Sequence, residues 1–378
     1  MSSSGERKYR ISILPPLLNS SNPWATSLSD LRALYNCSFT GAVTTRTSLL
    51  TGFTQHPTTH QYTFFSTSTG HATSHIDISG AEGRGERLDG ETSSLNNLGY
   101  SPIPFKTYIS MIVRLSQDGE LTQITSAGPK PFIISVTGSA EEVAECYTHL
   151  LDVRANPDAI YPHPDKKTSS GLRFLMEINL SCPNIPDKSP PAYDGTALSE
   201  YISRISSVQA ATARAQGQTN LNTINVPVGI KTPPFTYQGQ FQTLLAALEK
   251  SSKHSTGGGG GCPISFVTAT NTLGSCFVST SSGEAALGGG LVSGIGGMAG
   301  DALHPLALGN VKTIRAMLDS SECEELREIA ILGIGGVKDA AGFNRMTKVG
   351  ASAVGVGTAL GREGVAIFRM ISEGTVLT

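Results

Sequence analysis

Short apolar or β-branched runs recur at 41–45, 132–136, 174–180, 228–231, 265–270, 329–334 and 353–356, and longer amphipathic segments lie between them. That alternation predicts βα units around a parallel sheet, an α/β fold. Ser139 with Glu142 three residues on is a capping-box pattern and predicts a helix over 139–151; residues 195–216 read as a second, long amphipathic helix. Several predicted strands run straight into Gly, Asn, Lys or Thr, so the polar residues of interest gather at strand carboxyl ends. Three stretches break the pattern: 66–94, rich in Ser, Thr and Gly; 155–170, polar with Pro157, Pro162 and Pro164; and 251–261, which ends in five glycines. Lacking the apolar periodicity of a buried element, all three are expected to be surface loops or insertions.

A chain of 378 residues has room for two domains, but α/β barrels use this length as one, and a single domain over 1–378 is expected. A 39% hydrophobic, 15% charged chain of net charge -2 carries no basic field to attract nucleic acid or an anionic membrane. Six scattered cysteines without a C-x-x-C pair fit a reducing compartment. The polar, basic first ten residues lack an apolar signal core, and no segment is long and apolar enough to span a bilayer, so a cytosolic location is expected. There is no G-x-x-x-x-G-K-[ST] loop, no H-E-x-x-H and no G-x-S-x-G elbow. His56, His60, His71, His75, His163 and His254 lie in polar regions suggestive of surface, and no metal site is expected.

Candidate chemistry concentrates in Glu177-Ile-Asn-Leu-Ser-Cys-Pro-Asn184, where an apolar strand enters a loop holding Asn179, Ser181, Cys182 and Asn184. A deprotonated cysteine there can accept a proton, and asparagine amides offer donors and acceptors to a polar planar ligand. A lone cysteine is more often a buried thiol, but the flanking asparagines weigh against that here. Two glycine turns, 331–336 and 353–358, each end an apolar run; backbone amides at such turns cradle phosphate. Lys231 at the end of 228–231 offers a cation to a flavin ring, although strand-end lysines are commonly solvated. Asn271 and Thr272 suit a ligand or an ordinary polar turn equally, and Asn96 to Gly99 reads locally as a turn. A phosphate-binding barrel aldolase or isomerase, with Lys231 forming a Schiff base, remains open on these residues.

In order, these motifs resemble the soluble dihydroorotate dehydrogenases, most closely the cytosolic, fumarate-using class. The likeness runs from about Leu14 to Phe368 through Asn19-Ser-Ser21, Gly41-Ala-Val-Thr-Thr45, Asn96-x-x-Gly99, Asn179-Leu-Ser-Cys-Pro-Asn184, Gly229-Ile-Lys231, Asn271-Thr272, Gly294-Ile-Gly-Gly297, Gly335-Gly336 and Gly357-Thr358. The resemblance implies a single (β/α)₈ barrel, FMN as cofactor, dihydroorotate as substrate, fumarate as oxidant and a homodimer. It makes Cys182 the base that takes the C5 proton. Arg46, Asn96, Leu98, Gly99, Tyr100, Asn179, Asn184, Asn271 and Thr272 fall where the family binds the pyrimidine and its carboxylate. Ser20 and Ser21 fall near the isoalloxazine, Arg46, Asn179 and Lys231 along the flavin, and Gly296, Gly297, Gly335, Gly336, Gly357 and Thr358 around the phosphate.

Two residues depart from the family pattern. Arg46 stands where this class has a lysine touching flavin and substrate, and a planar guanidinium is not an equivalent point charge. A related flavin enzyme acting on another dihydropyrimidine-like or unsaturated carbonyl compound is the alternative that this change supports. Asn22 stands where the family has a glycine, which puts a side chain at the cofactor edge or demands a rare backbone conformation. The Ser/Thr-rich stretch from Ser66 is longer than usual and precedes a substrate-contacting segment.

Overall fold

In a computed structural model, describing residues 8–72, 90–181, 190–215, 217, 226–253, 261–289 and 294–375, eight parallel strands close into a ring. They are β1 (Leu17–Asn19), β2 (Val43–Thr44), β3 (Phe132–Val136), β4 (Phe174–Asn179), β5 (Val228–Lys231), β6 (Ile264–Ala269), β7 (Ala330–Ile334) and β8 (Ala353–Val356). Neighbours in chain order pair in parallel from β2 to β8, β8 pairs with β1, and a parallel bridge between Leu18 and Ala42 completes the circuit. Each strand is followed by a helix: α1 (Leu28–Asn36), α2 (Phe105–Gln117), α3 (Ala140–Ala155), α4 (Gly195–Ala215), α5 (Gln238–Lys253), α6 (His304–Ser320), α7 (Ala340–Lys348) and α8 (Ala366–Glu373). The result is a (β/α)₈ barrel.

Strands covered on both faces are apolar nearly throughout, which is why they stand out in the sequence as continuous runs. Along β4, Phe174, Met176 and Ile178 join the cluster packed against the helices, whereas Leu175 belongs to a separate interior cluster. That interior cluster includes Leu18, Ala42, Ile133, Phe266, Ala330, Leu332 and Ala353, with Ile11 and Ile13 from the segment before β1. It closes one end of the barrel. Phe266 crosses over β5, where a Cβ on Gly229 would lie 2.2 Å from its ring. Helix starts are set locally: Ser27 with Asp30 and Ser139 with Glu142 both form capping boxes, the second as the sequence predicts.

A second, mostly antiparallel sheet was not predicted. Its strands are Tyr62–Phe65, His71–Ala72, Ser93–Asn96, Leu273–Phe277, Ser279–Thr280 and Ile295–Gly300, drawn from the connections after β2 and after β6. Both connections leave carboxyl ends of barrel strands, so the sheet rises on the side where barrel sites form.

The predicted loops need correction at these places. In 66–94, His71–Ala72 and the residues from Ser93 are strand, 66–70 are a turn as expected, and 73–89 lie outside the described residues. Buried serines hide the strand signal because their hydroxyls are satisfied: Ser93 Oγ accepts from Ala302 N at 2.9 Å and Ser94 Oγ bonds Thr358 Oγ1 at 2.9 Å. In 155–170 a helical turn spans Pro157–Ile160, and His163 is buried rather than on the surface, its Nε2 3.3 Å from Asp118 Oδ1. Helix α5 continues to Lys253, and 254–260 lie outside the described residues. The three-residue strand β1 has no signal in the sequence beyond its two leucines.

Candidate active site

The carboxyl ends of the barrel strands and the second sheet enclose a cavity of about 1060 Å³, its open mouth included. Ser20 and Ser21 follow β1; Arg46 and Thr47 follow β2; Asn179 ends β4; Lys231 ends β5; Thr270, Asn271 and Thr272 follow β6; Ile334 to Gly336 leave β7; Gly357 and Thr358 leave β8. The second sheet adds Tyr62, Ser94, Asn96, Ala299 and Gly300, and the segment after it adds Leu98, Gly99 and Tyr100. Nearly all the predicted site residues that are described therefore meet in one place. Cys182 and Asn184 lie outside the described residues.

Arg46 is only 7% exposed, and its Nη2 is buried with no hydrogen-bond partner. Burial pulls its pKa down from 12.5 to about 10, partly opposed by Tyr108. A guanidinium held this way has unspent capacity for an oxygen acceptor on a ligand. Lys231 is also buried, so the cavity carries two basic side chains. Beside them the amides are locked. Asn179 Nδ2 donates to Thr47 Oγ1 at 2.9 Å, its Oδ1 accepts from Ser181 Oγ at 2.7 Å and from Asn271 Nδ2 at 3.3 Å, and Asn271 Nδ2 reaches Ser181 Oγ at 2.8 Å. Asn96 Nδ2 donates to Gly297 O at 3.2 Å.

Elsewhere in the lining, the backbone itself forms the wall. Gly336, at φ +70, could carry a Cβ only 2.5 Å from Gly300 O, and Gly300, at φ +80, only 2.5 Å from Thr92 O. Glycine is needed at both on conformation and on space. His304 holds this loop: Arg345 Nε donates to its Nε2 at 3.1 Å, which leaves Nδ1 as the donor to Gly335 O at 2.6 Å. The orphaned Arg46 donor, the buried Lys231 and this bare-backbone cradle suit a planar, phosphate-bearing group such as a flavin nucleotide.

Gly296 and Gly297 are not brought to the cavity. They pair within the second sheet, Gly297 opposite Asn96, and Ala299 and Gly300 of the same strand line the cavity instead. Gly300, His304, Ser94, Thr47 and Tyr62 were missed, and only the glycine-rich run 294–300 gave a signal that could have found one of them. Asn22 needs no unusual backbone, since the non-glycine residues with positive φ among those described are Lys166 and Ser275. Its side chain braces the turn, Nδ2 donating to Ser20 O at 2.7 Å and Oδ1 accepting from Trp24 N at 2.9 Å.

A model of the dihydroorotate dehydrogenase family matches residues 167–376, more than half of the chain. A protein named putative dihydroorotate dehydrogenase A (fumarate) from Streptococcus equi subsp. equi (strain 4047) is 27% identical over 285 residues, 75% of this chain and 72% of that protein. Its namesake from Streptococcus agalactiae serotype Ia is 30% identical over 226 residues, 60% of this chain and 61% of that protein. Among solved structures, a DHODH from Eimeria tenella in complex with ferulenol superposes with a TM-score of 0.63 at 13% identity, covering 99% of this chain and 86% of that one. At that identity the superposition speaks for the fold alone. No helix among the described residues is long and apolar enough to cross a membrane.

Proposed function

The chain belongs to the dihydroorotate dehydrogenase family, and from that premise we propose that it binds FMN in this cavity and oxidises dihydroorotate to orotate. Fumarate is the proposed electron acceptor, in a cytosolic homodimer. The observation that carries the reading is the buried Arg46, with an unspent Nη2 donor, sharing one cavity with Lys231 and the locked asparagines. A buried guanidinium with an unspent donor calls for an anionic or strongly accepting ligand atom, and a carboxylated pyrimidine beside a flavin offers both kinds.

When bound, FMN supplies the hydride acceptor. Gly300, Gly335, Gly336, Gly357 and Thr358 would hold its phosphate, Lys231 its ring system, and Ser20 and Ser21 the near edge. Asn179, Asn271, Thr272 and Asn96 offer fixed amides and a hydroxyl to the pyrimidine. The backbone around Leu98, Gly99 and Tyr100, with Arg46, takes its carboxylate. Cys182, assigned on resemblance and outside the described residues, removes the C5 proton as a hydride leaves C6. The fixed amides order the substrate for that loss, so less is spent on alignment at the moment of reaction.

Arg46 also favours a second reading, a flavin enzyme for a different dihydropyrimidine-like carbonyl compound, because its fork selects acceptor geometry that a lysine would not. One experiment separates the two. Protein loaded with FMN is mixed anaerobically with dihydroorotate, then with fumarate, NAD or a quinone in parallel. Prompt bleaching of the flavin band and its return with fumarate support the first reading; a band bleached by dithionite but not by dihydroorotate supports the second.

A further inference from the structure

Behind the cavity wall lies a buried carboxylate that the proposed reaction does not use. Glu177 on β4 is 1% exposed and accepts from Ser135 Oγ on β3 at 2.8 Å. Ser135 Oγ stands 2.9 Å from Thr47 Oγ1, which stands 2.8 Å from Ser21 Oγ at the cavity surface. Each hydroxyl has one hydrogen to give. An ionised Glu177 can only accept, so the hydrogen of Ser135 goes to it, and the bond between Thr47 and Ser135 must use the hydrogen of Thr47. The bond between Ser21 and Thr47 must then use the hydrogen of Ser21.

The other end is fixed as well. Asn179 Oδ1 accepts from Ser181 N at 3.3 Å, Ser181 Oγ and Asn271 Nδ2, which turns Asn179 Nδ2 toward Thr47 as a donor. Thr47 Oγ1 thus accepts twice and donates once, the assignment that an ionised Glu177 imposes on the line. Ser21 is left facing the cavity with lone pairs only.

We propose that Glu177 is a positioning residue that, through Ser135 and Thr47, holds Ser21 as an obligate acceptor for a ring N–H of the bound ligand. The ring N–H belongs to the flavin or to the pyrimidine, and this identity rests on the functional reading above. Glu177 touches neither. Its action is to orient hydrogens, and a low-polarity interior makes such oriented chains stronger than their members singly.

The test compares wild type with Ser21→Ala, Ser135→Ala and Ser135→Thr, measuring FMN affinity of the apoprotein, orotate affinity of the holoprotein and the flavin midpoint potential. Ser21→Ala should lose about five- to tenfold in one of these, the worth of one hydrogen bond; a tenfold change corresponds to about 30 mV for a two-electron couple. A change in FMN affinity or potential identifies the flavin N–H, and a change in orotate affinity alone identifies the pyrimidine. Ser135→Ala, which frees the hydrogen of Thr47 so that the line can reverse, should give part of that loss in the same measurement, and Ser135→Thr should restore it. Thr47→Val cuts the same line if Ser135→Ala does not fold. The proposal is overturned if Ser21→Ala matches wild type throughout, or if cutting the line behind Ser21 leaves ligand binding and potential at wild-type values. Wild type that takes up neither FMN nor orotate would overturn the functional reading and the inference with it.

Discussion

The two ends of the barrel are built from the same strands and do opposite things with them. On β4 the inward positions run Leu175, Glu177, Asn179, and on β3 Ile133 is followed by Ser135. At the closed end these positions join an apolar cluster centred on Phe266, where every contact is non-directional and tolerant of small shifts. At the open end they carry amides, hydroxyls, a carboxylate and two buried basic groups, with Arg46 Nη2 unpartnered. The closed end contributes stability, and the open end spends some of it to keep donors and acceptors aimed at a ligand.

That contrast is breakable by mutation. The largest effect is expected at the open end: Cys182→Ala should lower dihydroorotate turnover by about a thousandfold, the scale of a lost general base, while FMN stays bound. Equal turnover in the variant would remove Cys182 from the chemistry. Next comes the closed end. Phe266→Ala should cost about 3–5 kcal/mol in urea unfolding, the usual cost of deleting a buried aromatic ring, and leave FMN affinity of the folded protein unchanged. A loss of FMN affinity as large as the loss of stability would mean the two ends are not separable.

Arg46→Met sharpens the difference with a smaller effect of opposite sign on the two properties. Orotate affinity should fall roughly tenfold to a hundredfold, as for a lost charge-assisted bond. Thermal stability should hold or rise, because a buried cation with an unspent donor is removed. The pH profile follows from the same residue. Burial favours the neutral guanidine, whereas a bound carboxylate favours the charged form, so ligand and proton bind cooperatively. Orotate affinity of wild type should accordingly stay level below about pH 9 and weaken as pH rises through about 10. Arg46→Met should lack that limb, and its persistence would assign the titration elsewhere.

The barrel was legible in the sequence because strands buried on both faces announce themselves as apolar runs, and helix caps are local: Ser139 and Glu142 are enough to start α3. Most of the candidate site was legible through the ordered motifs that resemble one family, because local reading alone left Lys231, Asn271, Thr272 and Asn96 with ordinary structural roles. The second sheet was not. Its strand Ser93–Asn96 is half serine, and its burial depends on partners as distant as Thr358 and Ala302. Gly296 and Gly297 misled because glycine beside glycine signals backbone approach without saying to what; here it is the Asn96 backbone in one case and Thr272 in the other. The line from Glu177 to Ser21 was invisible for a third reason, because it joins four segments through register and side-chain direction, which no local pattern encodes.

The most direct test of the whole account is a stopped-flow record at the flavin absorption maximum after anaerobic mixing of the FMN-loaded protein with dihydroorotate. The account predicts stoichiometric bleaching within the time of one turnover, and its absence in Cys182→Ala. A flavin band that persists in wild type while dithionite still bleaches it would contradict the claim that this cavity oxidises dihydroorotate.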